Sequence, residues 1–260
     1  MLLKNELTEL SFTSFLNGYF STVRVVKLVY SPQWFFGKDI LIDIVSIFVL
    51  LLIAFFSIKY YNIKKNRNYI YLTLSFVILA ASFLAKILIN FNVYYKVIET
   101  QDLGVISAVY QGMKATHSIF ITSFVIYWLS TLFGYYILYS IYQNQSLSNF
   151  LFGAYLISVS TYITYPDYRT FHLTLLVILS LITALHLKRY LNNKYLATKL
   201  VALSFGIITL SQIFFILIDW NINLYVIGEL IQLVGYISLL FTFIKVLKYG
   251  RQANKDRHNW

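Results

Sequence analysis

Apolar residues along this chain gather into seven long runs, at 40–58, 69–90, 117–139, 150–165, 170–187, 198–218 and 224–247, parted by short polar stretches and, after the second run, by the longest connection, 92–113. None alternates with the period of two that a membrane barrel strand needs, so the runs predict helices. A bilayer core takes roughly 20 apolar residues per helix. The fourth run is the weakest: it is short, rich in Ser, Thr and Tyr, and stopped by Pro166. The pattern predicts an all-α polytopic membrane protein, a seven-transmembrane-helix bundle over 40–248. Residues 1–39 are expected to form an interfacial segment: Leu3, Leu7 and Leu10 fall at helical spacing, followed by aromatic anchors, and a flap over the helix ends is the variant.

The runs are not independent of one another. LSFVILAASFLAKILI at 74–89 returns as LSFGIITLSQIFFILI at 203–218, with eight of sixteen positions identical and no gap. The same offset of 129 pairs Lys59 with Lys188, Tyr61 with Tyr190 and Lys65 with Lys194. Shared Leu and Ile mean little between apolar segments; the shared Ser75/Ser204, Ser82/Ser211, lysines and tyrosines mean more. Helices one and two thus overlay five and six. A shift of 115 lays helix three over seven, pairing Tyr110 with Tyr225, Lys114 with Glu229 and His117 with Gln232. The reading is a parallel 3+1+3 repeat: a first triplet at 40–142, a linker helix at 150–165, a second triplet at 170–248 and a basic tail at 249–260.

Composition and charge sharpen this. The chain is 59% hydrophobic and only 12% charged, with formal net charge +11 and mean hydropathy +0.68. Thirteen of the 21 Lys and Arg cluster at 59–67, 188–199 and 245–257, and nine of the ten acidic residues fall on the opposite side. The positive-inside rule then places the N-terminus outside and the C-terminus in the cytoplasm of a multi-pass cell-membrane protein. The basic excess reads as topology and lipid contact, with no nucleic-acid partner. The chain has no cysteine, which removes disulfides, thiolate metal sites and Cys nucleophiles. Residues 1–39 lack the charged start, compact apolar stretch and cleavage site of a signal peptide.

The candidate chemistry lies in polar residues within the runs. Asp43, Lys86, Lys114, His117, His172, Gln212, Asp219, Glu229 and Gln232 all fall toward the outer side, while the inner halves carry almost no charge. Isolated charges in hydrocarbon cost roughly 2.5–3.5 kcal/mol on insertion scales, so these groups are expected to face one another or water. Glu229, Gln232 and Tyr236 share a helix face, and Asp43 and His172 occupy equivalent repeat positions. The expected site is an outward-facing pocket for a small polar or charged ligand, its binding residues being Asp43, Lys86, Lys114, His117, His172, Gln212, Glu229 and Gln232. The alternative for each is structural: headgroup contact for residues near a helix end, a pair such as Lys114 with Glu229, and close helix packing for the serine stripes.

Named architectures narrow the choice. A metal-dependent intramembrane hydrolase such as the seven-helix ceramidase type needs a local His pair, and none is present. Microbial rhodopsins need a lysine midway along helix seven; Lys245 and Lys248 lie at its end, so retinal is not expected as a cofactor, nor is any other. Transporters with paired Pro-Gln motifs need two; Pro32-Gln33 stands alone. YLTLSFVILAASFLAKIL at 71–88 and YVIGELIQLVGYISLLFTFIKVLKYG at 225–250 resemble a group of archaeal seven-helix membrane proteins. That resemblance implies the fold and brings no activity with it.

The expected function is a non-retinal small-ligand-binding or sensory module of receptor-like topology, signalling through a protein partner, with no catalytic or metal site. The alternative is a small-solute or ion transporter built on the parallel repeat. A polar path through the inner half would favour transport; an apolar seal below the pocket favours binding.

Overall fold

In a computed structural model of the protein, the described residues are 31–102, 106–143, 146–164 and 168–257, without the side chains of 33, 64, 92–121, 162–164 and 247–257. A 3-10 turn at Gln33–Phe35 leads into seven helices: α1 Lys38–Lys64, α2 Asn68–Asp102, α3 Ile106–Gln143, α4 Leu147–Thr164, α5 Tyr168–Asn193, α6 Leu196–Ile216 and α7 Asn223–Arg257. No strand occurs among the described residues. Six helices are long and apolar enough to cross a membrane; α4, with its shorter apolar stretch Leu147–Thr161, is not counted with them. The 92–113 connection is helical over most of its length, because α2 runs on to Asp102 and α3 begins at Ile106. The expected tail is likewise a continuation of α7 to Arg257.

The helices pack as a closed ring. α1 packs on α2, α2 on α3, α3 on α5, α5 on α6, α6 on α7, and α7 returns to α1. α4 stands outside, against α3, where the Tyr136 hydroxyl donates to the Asn149 and Phe150 carbonyls. Large apolar residues such as Phe48, Phe55, Leu203 and Phe241 point outward from the ring. In water such a surface would aggregate; in lipid it is the solvent-facing side. The interior holds Leu50, Ile53, Leu79, Leu138, Leu179, Ile182 and Ile208, all fully buried.

Close approach between helices is set by small residues. A Cβ on Gly134 would stand 2.8 Å from the Leu79 side chain, and one on Gly235 2.5 Å from Ile208. Ser75 Oγ donates to the Gly134 carbonyl at 2.7 Å, and the Ser204 and Ser238 hydroxyls meet at 2.9 Å. Ser82 and Ser211 turn back onto their own helices, to the Leu79 and Ile208 carbonyls. The serine stripes are packing surfaces that satisfy their own hydroxyls.

Two helix ends are built alike. Among the described residues, the non-glycine positions of positive φ are Lys65 at 53° and Lys194 at 57°. Each donates its backbone N–H over 2.7 Å, to the Tyr61 and Tyr190 carbonyls respectively. Each also sets its ammonium over that same tyrosine ring. Lysine in the left-handed region is disfavoured, so the cap and the cation–π contact together hold an uncommon conformation twice.

Candidate functional site

At the end of the ring where α1, α5 and α7 begin, three charged side chains converge. Lys86 on α2 donates to Asp43 on α1 at 2.8 Å and to Glu229 on α7 at 2.6 Å. All three are buried, Asp43 completely. Helix geometry explains the meeting: Asp43 and Glu229 lie within the first two turns of α1 and α7, and Lys86 lies toward the end of the membrane-length part of α2, Asn68–Phe91. Neighbouring helices running in opposite directions therefore bring them to one level. Burying a charge is tolerable only when it is paired and hydrogen-bonded. The ammonium serves both carboxylates, and Asp43 Oδ2 has no hydrogen-bond partner among the described residues.

A second polar pair stands across from the first. His172 Nδ1 lies 2.8 Å from Gln212 Oε1, and the Gln212 amide nitrogen donates to Ser211 Oγ and the Ile208 carbonyl. A backbone carbonyl can only accept, so the amide orientation is fixed and its oxygen faces the imidazole. His172 Nδ1 must then be the donor, and Nε2 in the neutral ring presents a lone pair. Among the described residues no group meets that lone pair.

Between the two pairs lies a cavity of about 40 Å³. Lys86, Glu229 and Asn90 form one wall; Trp128, His172 and Phe215 form the other; Tyr127, Tyr168 and Tyr225 complete it. Ser31 reaches the cavity from the segment before α1, and Phe35 beside it packs on Phe215, Ile218, Tyr225 and Val226. Ser31 and Phe35 therefore border the site; the interfacial or flap segment expected over 1–39 lies for the most part, at residues 1–30, outside the described residues. Ser31 Oγ, Asn90 Nδ2, Trp128 Nε1 and His172 Nε2 are buried, belong to residues that line this cavity and have no hydrogen-bond partner among the described residues. Buried polar groups are paired in the great majority of cases, so four such atoms around one hollow make it the candidate site.

Below the cavity the polar chain runs down one turn more and stops. Gln232 donates to the Tyr236 hydroxyl at 2.9 Å, which meets the Tyr135 hydroxyl at 2.7 Å. Beneath them the centre is closed by Phe76, Leu79, Leu138 and Leu239, none more than 1% exposed. His186, at the opposite end, is buried against Tyr142 and Phe205 and, among the described residues, forms no cluster with the site.

Of the eight residues expected to bind ligand, Asp43, Lys86 and Glu229 meet directly, His172 and Gln212 form the facing pair, and Gln232 lies one turn below. Lys114 and His117 lie outside the described side chains. One expectation changes. Lys86 does not reach for the headgroups, being 8% exposed. Glu229 takes Lys86 as a partner, whereas its expected pairing with Lys114 lies outside the described side chains. Asp219, on the rim, pairs with the exposed Arg169. Sequence reasoning missed Asn90, Trp128 and Ser31; Asn90 at the end of an apolar run and Ser31 before the first helix look like interfacial residues, Trp128 within α3 looks like ordinary packing, and only the ring order turns them inward. A larger cleft of about 560 Å³ lies between α2, α3 and α4; none of the unpartnered buried atoms faces it.

No group of three or more His, Cys, Asp or Glu positioned for a metal occurs among the described residues. No protein-family model, curated protein or solved structure matches the chain.

Proposed function

We propose that this chain is a membrane-embedded ligand-binding module, of the kind used in sensing, whose pocket opens to the outer side and admits a small polar or charged molecule. The observation that carries the reading is the cavity lined by four residues whose buried polar atoms have no partner among the described residues and closed below by fully buried apolar residues. Pockets of this design bind by a few well-placed polar groups in an otherwise apolar lining. A transporter would need a polar route past Tyr135 and Tyr236, and Phe76, Leu79 and Leu239 occupy that place.

The proposal includes orientation and architecture. Lys59, Lys65, Arg67, Lys188, Arg189, Lys194 and Lys199 gather at the end away from the cavity, which supports the cavity facing outward under the positive-inside rule. α3 starts at the cavity end and so does α5, so α4 has to bring the chain back between them. At 1.5 Å per residue its 18 residues reach about 27 Å, close to the hydrocarbon thickness of about 30 Å. That supports seven crossings with α4 as a thin linker.

The 3+1+3 repeat draws support from pairs of contacts. The αL caps at Lys65 and Lys194 are 129 apart, as are Leu79 and Ile208, the residues against which Gly134 and Gly235 pack. Those two glycines favour an offset of 101, in place of 115, for the third helix of each triplet. At 101, Val125, Ile126, Leu129, Leu132, Gly134, Tyr135 and Leu138 all meet identical residues. The α3·α5 and α7·α1 contacts then become equivalent, and Tyr135 meets its own counterpart, Tyr236, at the centre.

The test exploits the absence of cysteine. Single variants Ser31→Cys, Ser75→Cys and Tyr195→Cys are made in sealed vesicles and exposed to a membrane-impermeant methanethiosulfonate. Ser31→Cys should react from one face and Tyr195→Cys from the other, with Ser75→Cys unreactive from both. Reaction of Ser75→Cys from both faces would establish a through-path and replace the binding reading with transport.

A further inference from the structure

We propose that the cleft between α2, α3 and α4 is a binding site for an anionic diacyl phospholipid, which lays an acyl chain in the cleft and its phosphate against Arg67. This goes beyond the pocket at the other end of the ring and does not depend on it. Helical spacing builds the cleft. α2 and α4 both pack on α3, so α3 supplies the floor: Phe133, Ile137, Ser140 and Ile141 recur at i, i+4, i+7 and i+8. Asn68, Tyr71 and Leu74 of α2, three apart, form one wall, and Leu147 and Phe150 of α4 the other. The Ser140 hydroxyl donates to the Tyr136 carbonyl at 2.9 Å and is satisfied within α3.

Position decides the class of occupant. Asn68 begins α2, Leu147 begins α4 and Ile141 lies one turn or less from the end of α3, so the cleft opens at the basic end of the ring. From there it reaches back to Leu74 and Phe133, roughly 9–12 Å at 1.5 Å per residue. That depth stays within one leaflet, half of a hydrocarbon core of about 30 Å. Tyr71, Leu74 and Leu147 are 50%, 47% and 73% exposed, so the cleft opens sideways onto the surface that meets lipid. Its volume of about 560 Å³ falls within the range of about 300–1,000 Å³ of small-molecule sites. Largely apolar walls, a depth of one leaflet and a lateral opening suit a fatty-acyl chain and not a water-borne solute.

The mouth gives the headgroup its sign. Lys64, Lys65 and Arg67 occupy the turn between α1 and α2, and no Asp or Glu occurs at 44–98 or 103–166, the segments that build the cleft. The Ile70 and Tyr71 backbone N–H groups donate to the Arg67 carbonyl at 2.9 and 3.3 Å, so Arg67 opens the first turn of α2. Its spacing of four to Tyr71 and seven to Leu74 sets it on the cleft side. Lys65 holds its ammonium over the Tyr61 ring, whereas Arg67 is exposed. A guanidinium matches phosphate oxygens in a two-pronged fork, and basic residues beside a membrane helix attract anionic headgroups. The other triplet lacks such a mouth. At the offset of 129, Arg67, Asn68 and Tyr71 correspond to Leu196, Ala197 and Leu200, and in the 3+1+3 plan α4 has no counterpart to wall a second cleft. The basic and polar residues stand only in the copy that has the cleft.

The experiment places a reporter tryptophan in the full chain in lipid nanodiscs, by Leu74→Trp in the cleft or, as control, by Leu203→Trp at the repeat-equivalent position on α6. Leu203 is 57% exposed, lies at a similar depth and follows Lys199 by one turn, so it reports basic charge without a cleft. Quenching by phosphatidylglycerol or phosphatidylcholine brominated in the acyl chains is measured after subtraction of the signal of the parent's four tryptophans. At Leu74→Trp, half-maximal quenching should need about fivefold less of the glycerol lipid than of the choline lipid, the factor that one basic group at a membrane surface provides. Leu147→Trp, on the opposite wall, should report the same preference, so the proposal stays testable if Leu74→Trp fails to fold. At Leu203→Trp the two lipids should quench alike, and Arg67→Gln should make them alike in the cleft too. Equal quenching in the cleft by both lipids would overturn the anionic class. A preference that survives Arg67→Gln would overturn the headgroup contact. The same preference at Leu203→Trp would mean general enrichment of anionic lipid and refute the site. No quenching in the cleft, with Leu203→Trp quenched, would show the cleft covered by protein and refute lipid occupancy.

Discussion

Lys86→Met is the most discriminating single change in this molecule. It removes the cation that holds two buried carboxylates and replaces it with an apolar chain of similar length. Two charge-assisted hydrogen bonds go with it, of 2.8 and 2.6 Å. At about 1.5–3 kcal/mol each the loss is about 3–6 kcal/mol. The measured cost of breaking a buried ion pair, about 3–5 kcal/mol, agrees. Glu229→Gln is milder, because Lys86 and Asp43 remain as a neutral pair and the amide oxygen can still accept; about 1–2 kcal/mol is expected. Removing all three charges in Asp43→Asn/Lys86→Met/Glu229→Gln should recover most of the Lys86→Met loss, since uncharged groups need no counter-ion. Equilibrium unfolding in mixed micelles, followed by tryptophan fluorescence, measures all three against the parent. If Lys86→Met lies within 1 kcal/mol of the parent, or proves more stable than Glu229→Gln, the ion cluster is not the organising element of this end of the bundle.

Two further predictions concern the centre of the ring. Tyr135→Phe and Tyr236→Phe each remove one end of the 2.7 Å hydroxyl contact; a double-mutant cycle in the same unfolding assay should give a coupling of about 1 kcal/mol, and additivity would mean the hydroxyls do not bond. Gly235→Ala should destabilise by about 1–3 kcal/mol through overpacking, and more than Gly134→Ala. The added methyl at 235 meets the Ile208 backbone nitrogen at 3.2 Å, whereas the nearest backbone atom at 134 is 3.4 Å away. The reverse order in a thermal melt would count against that packing.

The membrane helices were legible because their signal is carried by runs of many residues, each adding to the same sum. Asp43, Lys86 and Glu229 were legible as a group because a charge in hydrocarbon has so few tolerable surroundings. Their pairing was not. Whether Glu229 meets Lys86 or Lys114 depends on the packing order of α1, α2 and α7, which no local pattern encodes. Trp128 stayed hidden for the same reason: its role comes from facing Glu229's cluster, and a lone tryptophan on an apolar helix has many ordinary explanations.

The ion cluster also bears on how the protein is made. Asp43 and Lys86 are 43 positions apart on adjacent helices, while Glu229 follows Lys86 by 143. During synthesis α1 and α2 enter the membrane as a hairpin whose two buried charges already cancel, which lowers the insertion cost of each. Glu229 emerges much later, on a helix that must find α1 and close the ring. Until then the Lys86 ammonium has one carboxylate and an N–H without its second acceptor. The unfinished bundle thus exposes a hydrogen-bond donor where α7 belongs, and the carboxylate on α7 is complementary to it. In the nascent chain Glu229 would guide the closing helix to its seat.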